Sequence, residues 1–159
     1  KSCLLNVDLI KYKINMKISF PLAIIIALFS TNWLSAHCQV TCGVYGDTAR
    51  FTQMLEDQTT IAKAIAQIND LAGKNDGKSA NQLARWVSTK EDHANKIQKI
   101  IAEYFLTQRI KSSSDKYADL LKGAHGVMVA AMKCKQGTDP ESADALKSSI
   151  KSFQDIYQK

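Results

Sequence analysis

The chain has 159 residues, enough for one domain, and its 45% apolar and 23% charged residues are typical of soluble globular proteins. Its net charge of +6 is divided equally between residues 1–36 and the remainder, and no run of basic residues occurs. We therefore expect no nucleic-acid partner, because such binding usually needs a clustered basic face, whereas a mild positive surplus is compatible with a small anionic substrate.

Residues 1–36 have the pattern of a removable leader. Residues 1–15 show no clear period and precede Met16, so we assign them to an upstream or leader segment. Residues 16–36 match a signal peptide: Lys17 is basic, an apolar run follows at 18–28, and Ala36 offers a small residue for cleavage. The run is shorter than the roughly 20 residues that span a membrane. We predict cleavage after Ala36, export to the periplasm, cell exterior or an organelle lumen, and no stable membrane insertion afterwards; an uncleaved membrane anchor is the competing interpretation.

Residues 47–159 show apolar positions three and four residues apart, the spacing of amphipathic helices. This spacing predicts four helices, at 48–72, 79–110, 117–135 and from 140 to the C-terminal region. Asp47 or Thr48 is expected to cap the first helix and Gly73 to end it. Asp139 is expected to cap the fourth, with Pro140 at its first position.

Four such helices joined by short polar turns predict an all-α fold, an antiparallel four-helix bundle with one core. The apolar stripe of the second helix places Leu83, Trp86 and Val87 in that core, like the other Met and aromatic stripe residues. The charged stretch Lys90-Glu91-Asp92 is expected to be solvated or interfacial. Cys134 is expected to be partly buried or a free thiol, and His125 structural.

The segment 37–46, called the hook below, concentrates soft-metal ligands at His37, Cys38 and Cys42, with Tyr45 nearby. After cleavage, His37 offers an α-amine and an imidazole, and Cys38 offers a thiolate and a backbone amide. With the Cys42 thiolate, these groups can form a planar set of two nitrogens and two sulfurs with an axial imidazole. That field suits Ni(II) or Cu(II), whereas Zn²⁺ prefers a tetrahedral set.

Two simpler interpretations of the cysteines remain open. Cys38 and Cys42 of an exported protein could form a disulfide, which their spacing alone favours. They could also be half of a zinc site completed by His93 or His125. The adjacency of His37 to the cleavage site and to Cys38 favours a metal hook.

The stretch HCQVTCGVYGDTAR at 37–50 resembles the N-terminal hook of nickel-containing superoxide dismutases, HCxxPCGxYD followed by Ala-Arg. Segments such as NQLARWV, YFLTQR and MVAAMK resemble the helical body of one branch of that family, so the resemblance covers 37–159. It implies one nickel ion per subunit. His37 would supply the amine and axial imidazole, Cys38 the amide and a thiolate, and Cys42 the second thiolate. Tyr45 would lie beside the open face and control access of anions.

The resemblance also implies a reaction and an assembly. Superoxide would be disproportionated to O2 and H2O2 in a ping-pong cycle of Ni(II) and Ni(III), and the subunits would form a homohexamer with hooks at subunit contacts. The alternative is a secreted helical-bundle interaction or metal-carrier protein with a Cys38–Cys42 disulfide and no turnover.

The hook departs from the family pattern at three places. Thr41 replaces the family's proline, and since a non-proline cis bond costs roughly 3 kcal/mol, we expect a trans hook. Gly46 precedes Asp47, so the acidic residue is displaced by one position. Thr52 and His93 stand where bacterial members have the Glu and Arg that support the axial histidine. His93 is therefore either a substitute partner for His37 or a surface or interface histidine.

Overall fold

The computed structural model of the protein describes residues 46–158, which form four α-helices. These are Asp47–Leu71 (α1), Gly77–Lys99 (α2), Tyr117–Gln136 (α3) and Pro140–Gln158 (α4). α2 continues directly into a π-helix, Ile100–Arg109. No strand occurs in this part of the chain, and the predicted all-α class is confirmed. The leader, the signal peptide and all of the hook except Gly46 lie outside the described residues.

The four helices pack as an antiparallel bundle. α1 packs against α2 and α4, and α3 packs against α4 and α2. The connections are short, so each helix returns alongside the previous one. The start of α1, the end of the π-helix and the end of α4 therefore meet at one end of the bundle. None of the helices in 46–158 combines the length and apolar character needed to cross a membrane.

Two of the predicted helix boundaries are confirmed. Asp139 caps α4, because its Oδ1 accepts a hydrogen bond from the backbone N–H of Glu141 at 3.0 Å, and Pro140 is the first helical residue. Gly73 follows the end of α1 with φ of +84°, a left-handed conformation that glycine adopts without steric cost. The turn at 72–76 therefore depends on this glycine.

The predicted cap of α1 is wrong. Gly46 is the N-cap residue, with an extended backbone, and neither Asp47 nor Thr48 provides a side-chain cap. Asp47 is already helical, and its carboxylate is bound by side chains of the π-helix and α4. The carboxylate oxygens of Asp47 accept hydrogen bonds from distant side chains and therefore do not cap the helix.

The second predicted helix forms, but not as one continuous α-helix. It begins at Gly77, where Asp76 Oδ1 accepts from the Ser79 N–H at 3.0 Å. Its last ten residues form the π-helix, in which hydrogen bonds reach five residues back instead of four. The buried pattern across this segment suits an α-helix equally well, so apolar spacing did not reveal the change.

Three buried phenylalanines pack together at the end of the bundle where α1 begins. Phe51, Phe105 and Phe153 have no exposed surface. The ring centroids of Phe51 and Phe105 are 4.8 Å apart, and those of Phe105 and Phe153 are 5.1 Å apart. Such aromatic pairs contribute about 0.5–1.5 kcal/mol each beyond their burial. This aromatic cluster lies at the same end of the bundle as Asp47, the residue at which the hook joins the helices.

The expectation that Lys90 is solvated or interfacial is wrong. Lys90 is only 4% exposed, and its Nζ donates to the carbonyls of Cys134, Lys135 and Gly137 at 2.7–2.9 Å. These carbonyls lie at the C-terminus of α3, where no backbone donor follows and the helix dipole favours a cation. Lys90 is therefore the C-terminal cap of a neighbouring helix.

The apolar stripe of α2 is less buried than its sequence predicts. Val87 is 41% exposed, and Leu83 and Trp86 are half-buried, so their placement in the core is wrong. Lys90 lies beside the C-terminal end of α3. The residues that precede Lys90 in α2 therefore extend past the end of α3 and pack mainly on α1. There the ammonium of Lys63 lies 5.9 Å from the Trp86 ring centroid. Since α1 is the main neighbouring helix at this level, only a narrow stripe of α2 is covered.

Candidate metal centre and its attachment to the bundle

The predicted site residues His37, Cys38, Cys42 and Tyr45 lie outside the described residues. The structure instead shows where the hook joins the bundle. Gly46 is exposed, and Asp47 begins α1 directly after it, two residues beyond Tyr45. The contacts of Asp47 therefore fix the point from which the hook departs.

Both carboxylate oxygens of Asp47 are held by side chains from other helices. Arg109 donates from Nε to Oδ1 at 2.8 Å and from Nη2 to Oδ2 at 2.7 Å. The hydroxyl of Tyr104 donates to Oδ1 at 2.5 Å, and that of Tyr157 to Oδ2 at 3.0 Å. We call these four residues the Asp47 cluster. A two-pronged arginine contact restricts both the position and the rotation of a carboxylate.

The electrostatics of the Asp47 cluster keep its charges in place. Partial burial acts to raise the pKa of Asp47, but hydrogen bonds from Arg109, Tyr104 and Tyr157 outweigh it, and the pKa is lowered. Burial, followed by the hydrogen bond to Asp47, raises the pKa of Tyr104 to about 12. The same carboxylate raises the pKa of Arg109. The cluster therefore keeps one carboxylate, one guanidinium and neutral phenols over a wide pH range.

The π-helix explains how Tyr104 and Arg109 reach the same carboxylate. The two residues are five positions apart, and the Arg109 guanidinium lies 5.6 Å from the Tyr104 ring centroid. In an α-helix the neighbours on one face are three or four apart. Hydrogen bonding from i to i+5 widens the turn, so residues five apart lie closer to one face than they would in an α-helix.

Sequence reasoning missed the Asp47 cluster, although a signal for it exists. Antiparallel topology brings the start of the first helix together with the ends of the second and fourth. Arg109 and Tyr157 stand at those two ends, and Asp47 stands at that start. The complementary charges of Asp47 and Arg109, 62 positions apart, could have been paired on that basis.

His93 is engaged within the bundle. Its Nδ1 lies 2.6 Å from Oδ1 of Asp57, which is 6% exposed, and the second oxygen of Asp57 has no hydrogen-bond partner among the described residues. Asp57 follows Asp47 by ten residues, or roughly 15 Å along the helix. The predicted partnership of His93 with His37 involves a residue outside the described range.

The other predicted ligand types are placed as follows. His125 is exposed. Cys134 is a free thiol, as expected, but it is fully buried and not partly buried. Burial raises its pKa, which disfavours the thiolate that binds metals. Across residues 46–158, no three His, Cys, Asp or Glu side chains are grouped so as to hold a metal ion.

The donor set of the hook fits nickel chemically. An amine, an amide, an imidazole and two thiolates are nitrogen and sulfur donors of the kind that suit Ni(II). If nickel is bound, the hook would supply these donors, and Asp47 marks where the hook joins the bundle.

Comparison with known proteins adds one match. The sequence model of a family described as nickel-containing superoxide dismutase matches residues 32–159, which include the hook and all four helices. Neither the curated proteins nor the solved structures compared with the chain gave a match.

Proposed function

The chain belongs to the nickel-containing superoxide dismutase family, and we propose that His37, Cys38 and Cys42 are its nickel ligands. It is a nickel-dependent oxidoreductase that converts superoxide to O2 and H2O2. The observation that carries this conclusion is a family match that includes both the hook and the whole bundle. The match gives no support to the alternative of a secreted interaction or metal-carrier protein without turnover.

The proposed roles of the ligands follow from their chemistry. Nickel, when bound, supplies the reversible change between Ni(II) and Ni(III) that both halves of the disproportionation require. The thiolates of Cys38 and Cys42 donate electron density that favours the higher oxidation state. His37 would hold nickel through its α-amine and its imidazole. The hydroxyl of Tyr45 would hydrogen-bond to the incoming anion.

Cleavage after Ala36 is part of the proposal. The α-amine of His37 exists only once the peptide bond to Ala36 is broken, so the site forms after the leader is removed. The signal-like pattern at 16–36 supports export and a mature chain without a membrane segment. The destination is the periplasm, the cell exterior or an organelle lumen.

We also propose that the mature chain assembles as a homohexamer. The resemblance of the body segments to one branch of the family supports this assembly, in which hooks lie at subunit contacts. Light scattering of the purified holoenzyme should give six times the mass of the mature chain, whereas a monomeric mass would contradict it.

The experiment that tests the ligand assignment is N-terminal sequencing with metal analysis of the same exported sample. A chain that begins at His37 and carries one nickel ion is the expected result. A chain that begins upstream of His37 and still holds nickel would contradict the assignment.

A further inference from the structure

We propose that Tyr104, Arg109 and Tyr157 are positioning residues for the nickel hook, and that the π-helix is the device that brings the first two together around Asp47. The inference rests on the proposed ligands and deepens that function. It assigns a role at the metal centre to residues that lie outside the hook.

Asp47 lies directly after the hook. It is five residues from Cys42 and two from Tyr45, and it follows Gly46, the last residue of the hook. Glycine has no side chain to pack, and a Cβ built at this position meets nothing within 4 Å. The side-chain contacts described at this end of the hook are therefore those of Asp47.

Both carboxylate oxygens of Asp47 are hydrogen-bonded by side chains of other helices. Each carboxylate oxygen receives two hydrogen bonds, and the donors come from two other helical segments. The ring of Tyr157 packs on the buried Phe51 and Phe105, with centroids 5.7 Å and 5.3 Å away. Tyr157 thus packs on the core and donates a hydrogen bond to Asp47, which connects the core to the first residue after the hook.

The π-helix allows two residues that are five positions apart to reach the same oxygen of Asp47. An α-helix rotates roughly 100° per residue, so residues five apart would diverge by roughly 140°. Tyr104 and Arg109 are five apart, yet both reach Oδ1 of Asp47, at 2.5 and 2.8 Å. Because π-helices are rare, mostly a single turn long and frequent at functional sites, a ten-residue example in this position indicates a local requirement.

The Asp47 cluster keeps its charge state near neutral pH. The pKa of Asp47 is lowered and that of Tyr104 is raised to about 12, so the carboxylate is charged and the phenol is neutral there. Their hydrogen bond therefore persists in neutral solution.

The test compares the rate at which folded holoenzyme variants release nickel to a chelator. The variants are Arg109→Gln, Tyr104→Phe and Asp47→Asn, with Arg109→Lys as the conservative change. All are measured at a temperature at which circular dichroism shows them folded. We expect release about tenfold faster for Arg109→Gln, within the 10–100-fold range typical when groups that support metal ligands are removed. Arg109→Lys should be intermediate, since it keeps the charge but loses the two-pronged contact.

The matched control is Lys90→Gln. Lys90 caps α3 at the opposite end of the bundle, so this variant lowers stability without touching the Asp47 cluster. Its nickel release and thiolate-to-nickel absorption bands should equal those of the unmodified protein, whereas the bands of Arg109→Gln should shift. Equal release and unchanged bands in Arg109→Gln, or the same change in both variants, would overturn the positioning role.

Cys38→Ser separates this inference from the proposed function. If Cys38→Ser loses nickel and Arg109→Gln keeps it unchanged, the positioning role alone is wrong. If Cys38→Ser also keeps its nickel, the ligand assignment itself is wrong.

Discussion

Arg109 holds both carboxylate oxygens of Asp47, at 2.8 and 2.7 Å, and so ties the end of the π-helix to the first residue of α1. The two residues are 62 positions apart in sequence, and their contact joins the residue that follows the hook to the π-helix, whose Phe105 is fully buried.

The Asp47 cluster predicts a specific acid dependence of stability. Because the pKa of Asp47 is lowered in the folded protein, its contribution is fully present above the unfolded-state value, about 3.9, and is lost as pH falls through the folded value. Melting temperatures of nickel-free wild type and Asp47→Asn, compared across pH, should differ most near neutrality and converge below about pH 4. A difference that stays constant down to pH 2 would contradict the role assigned to the carboxylate.

The same cluster predicts a loss of stability at high pH through Tyr104. A raised folded-state pKa means that the contribution of the neutral phenol is present below the unfolded value of about 10 and lost as pH rises through about 12. Tyr104→Phe should therefore be less stable than wild type at pH 8, and the gap should close near pH 12. Ultraviolet titration of the phenolate in both proteins gives an independent check.

Lys90→Met should lower the free energy of unfolding by about 2–3 kcal/mol, because three carbonyls at the end of α3 lose a charged donor. The matched control is Lys135→Gln, which removes a hydrogen bond to Asn95 at 2.8 Å and a distant ion pair with Glu91. That change should cost less than about 1 kcal/mol. Denaturant unfolding measures both, and similar losses would argue against a capping role for Lys90.

Two glycines of α3 predict opposite outcomes when replaced by alanine. A Cβ at Gly126 meets nothing within 4 Å, so Gly126→Ala should stabilise the helix by about 0.5–1 kcal/mol. A Cβ at Gly123 would lie 3.0 Å from Cδ2 of Phe153, whose ring is fully buried and has little room to move. Gly123→Ala should therefore be about 1–3 kcal/mol less stable than Gly126→Ala. Equal stabilities would show that the α3–α4 contact is looser than the structure indicates.

Thiol labelling of nickel-free mature protein should distinguish the cysteines. Cys134 is fully buried and its pKa is raised by burial, so it should react only after unfolding. Cys38 and Cys42 should both react under native conditions if they are metal ligands. Intact mass after labelling reads the number directly, and a native protein with no label that gains two only after reduction would support the disulfide instead.

The fold was predictable from sequence wherever local rules decide it. The apolar spacing gave all four helices, and Asp139, Pro140 and Gly73 marked their boundaries, because caps and turns depend on neighbouring residues. The predictions failed where distant residues compete for the same atoms. Asp47 does not cap α1 because Arg109 and Tyr157 bind its carboxylate.

The candidate site shows a similar division. The family could be predicted, since several soft-metal donors lie within six residues of the hook. The ligand assignment itself stays a prediction, because those donors lie outside the described residues. Lys90 was misjudged because charge alone does not reveal a nearby helix end that lacks donors. The π-helix was missed because the burial of Ile100, Ile101 and Phe105 suits both kinds of helix, and only the shared contact with Asp47 distinguishes them.

The most direct test of the central claim concerns the α-amine of His37. Mature protein and a variant with one glycine added before His37 are loaded with nickel, and metal content and superoxide decay are measured on both. The added residue turns the amine into an amide and leaves the bundle and the thiols unchanged. The extended protein should hold no stoichiometric nickel and show no catalysed decay. Full nickel content and undiminished catalysis in that variant would contradict a metal site at the mature N-terminus.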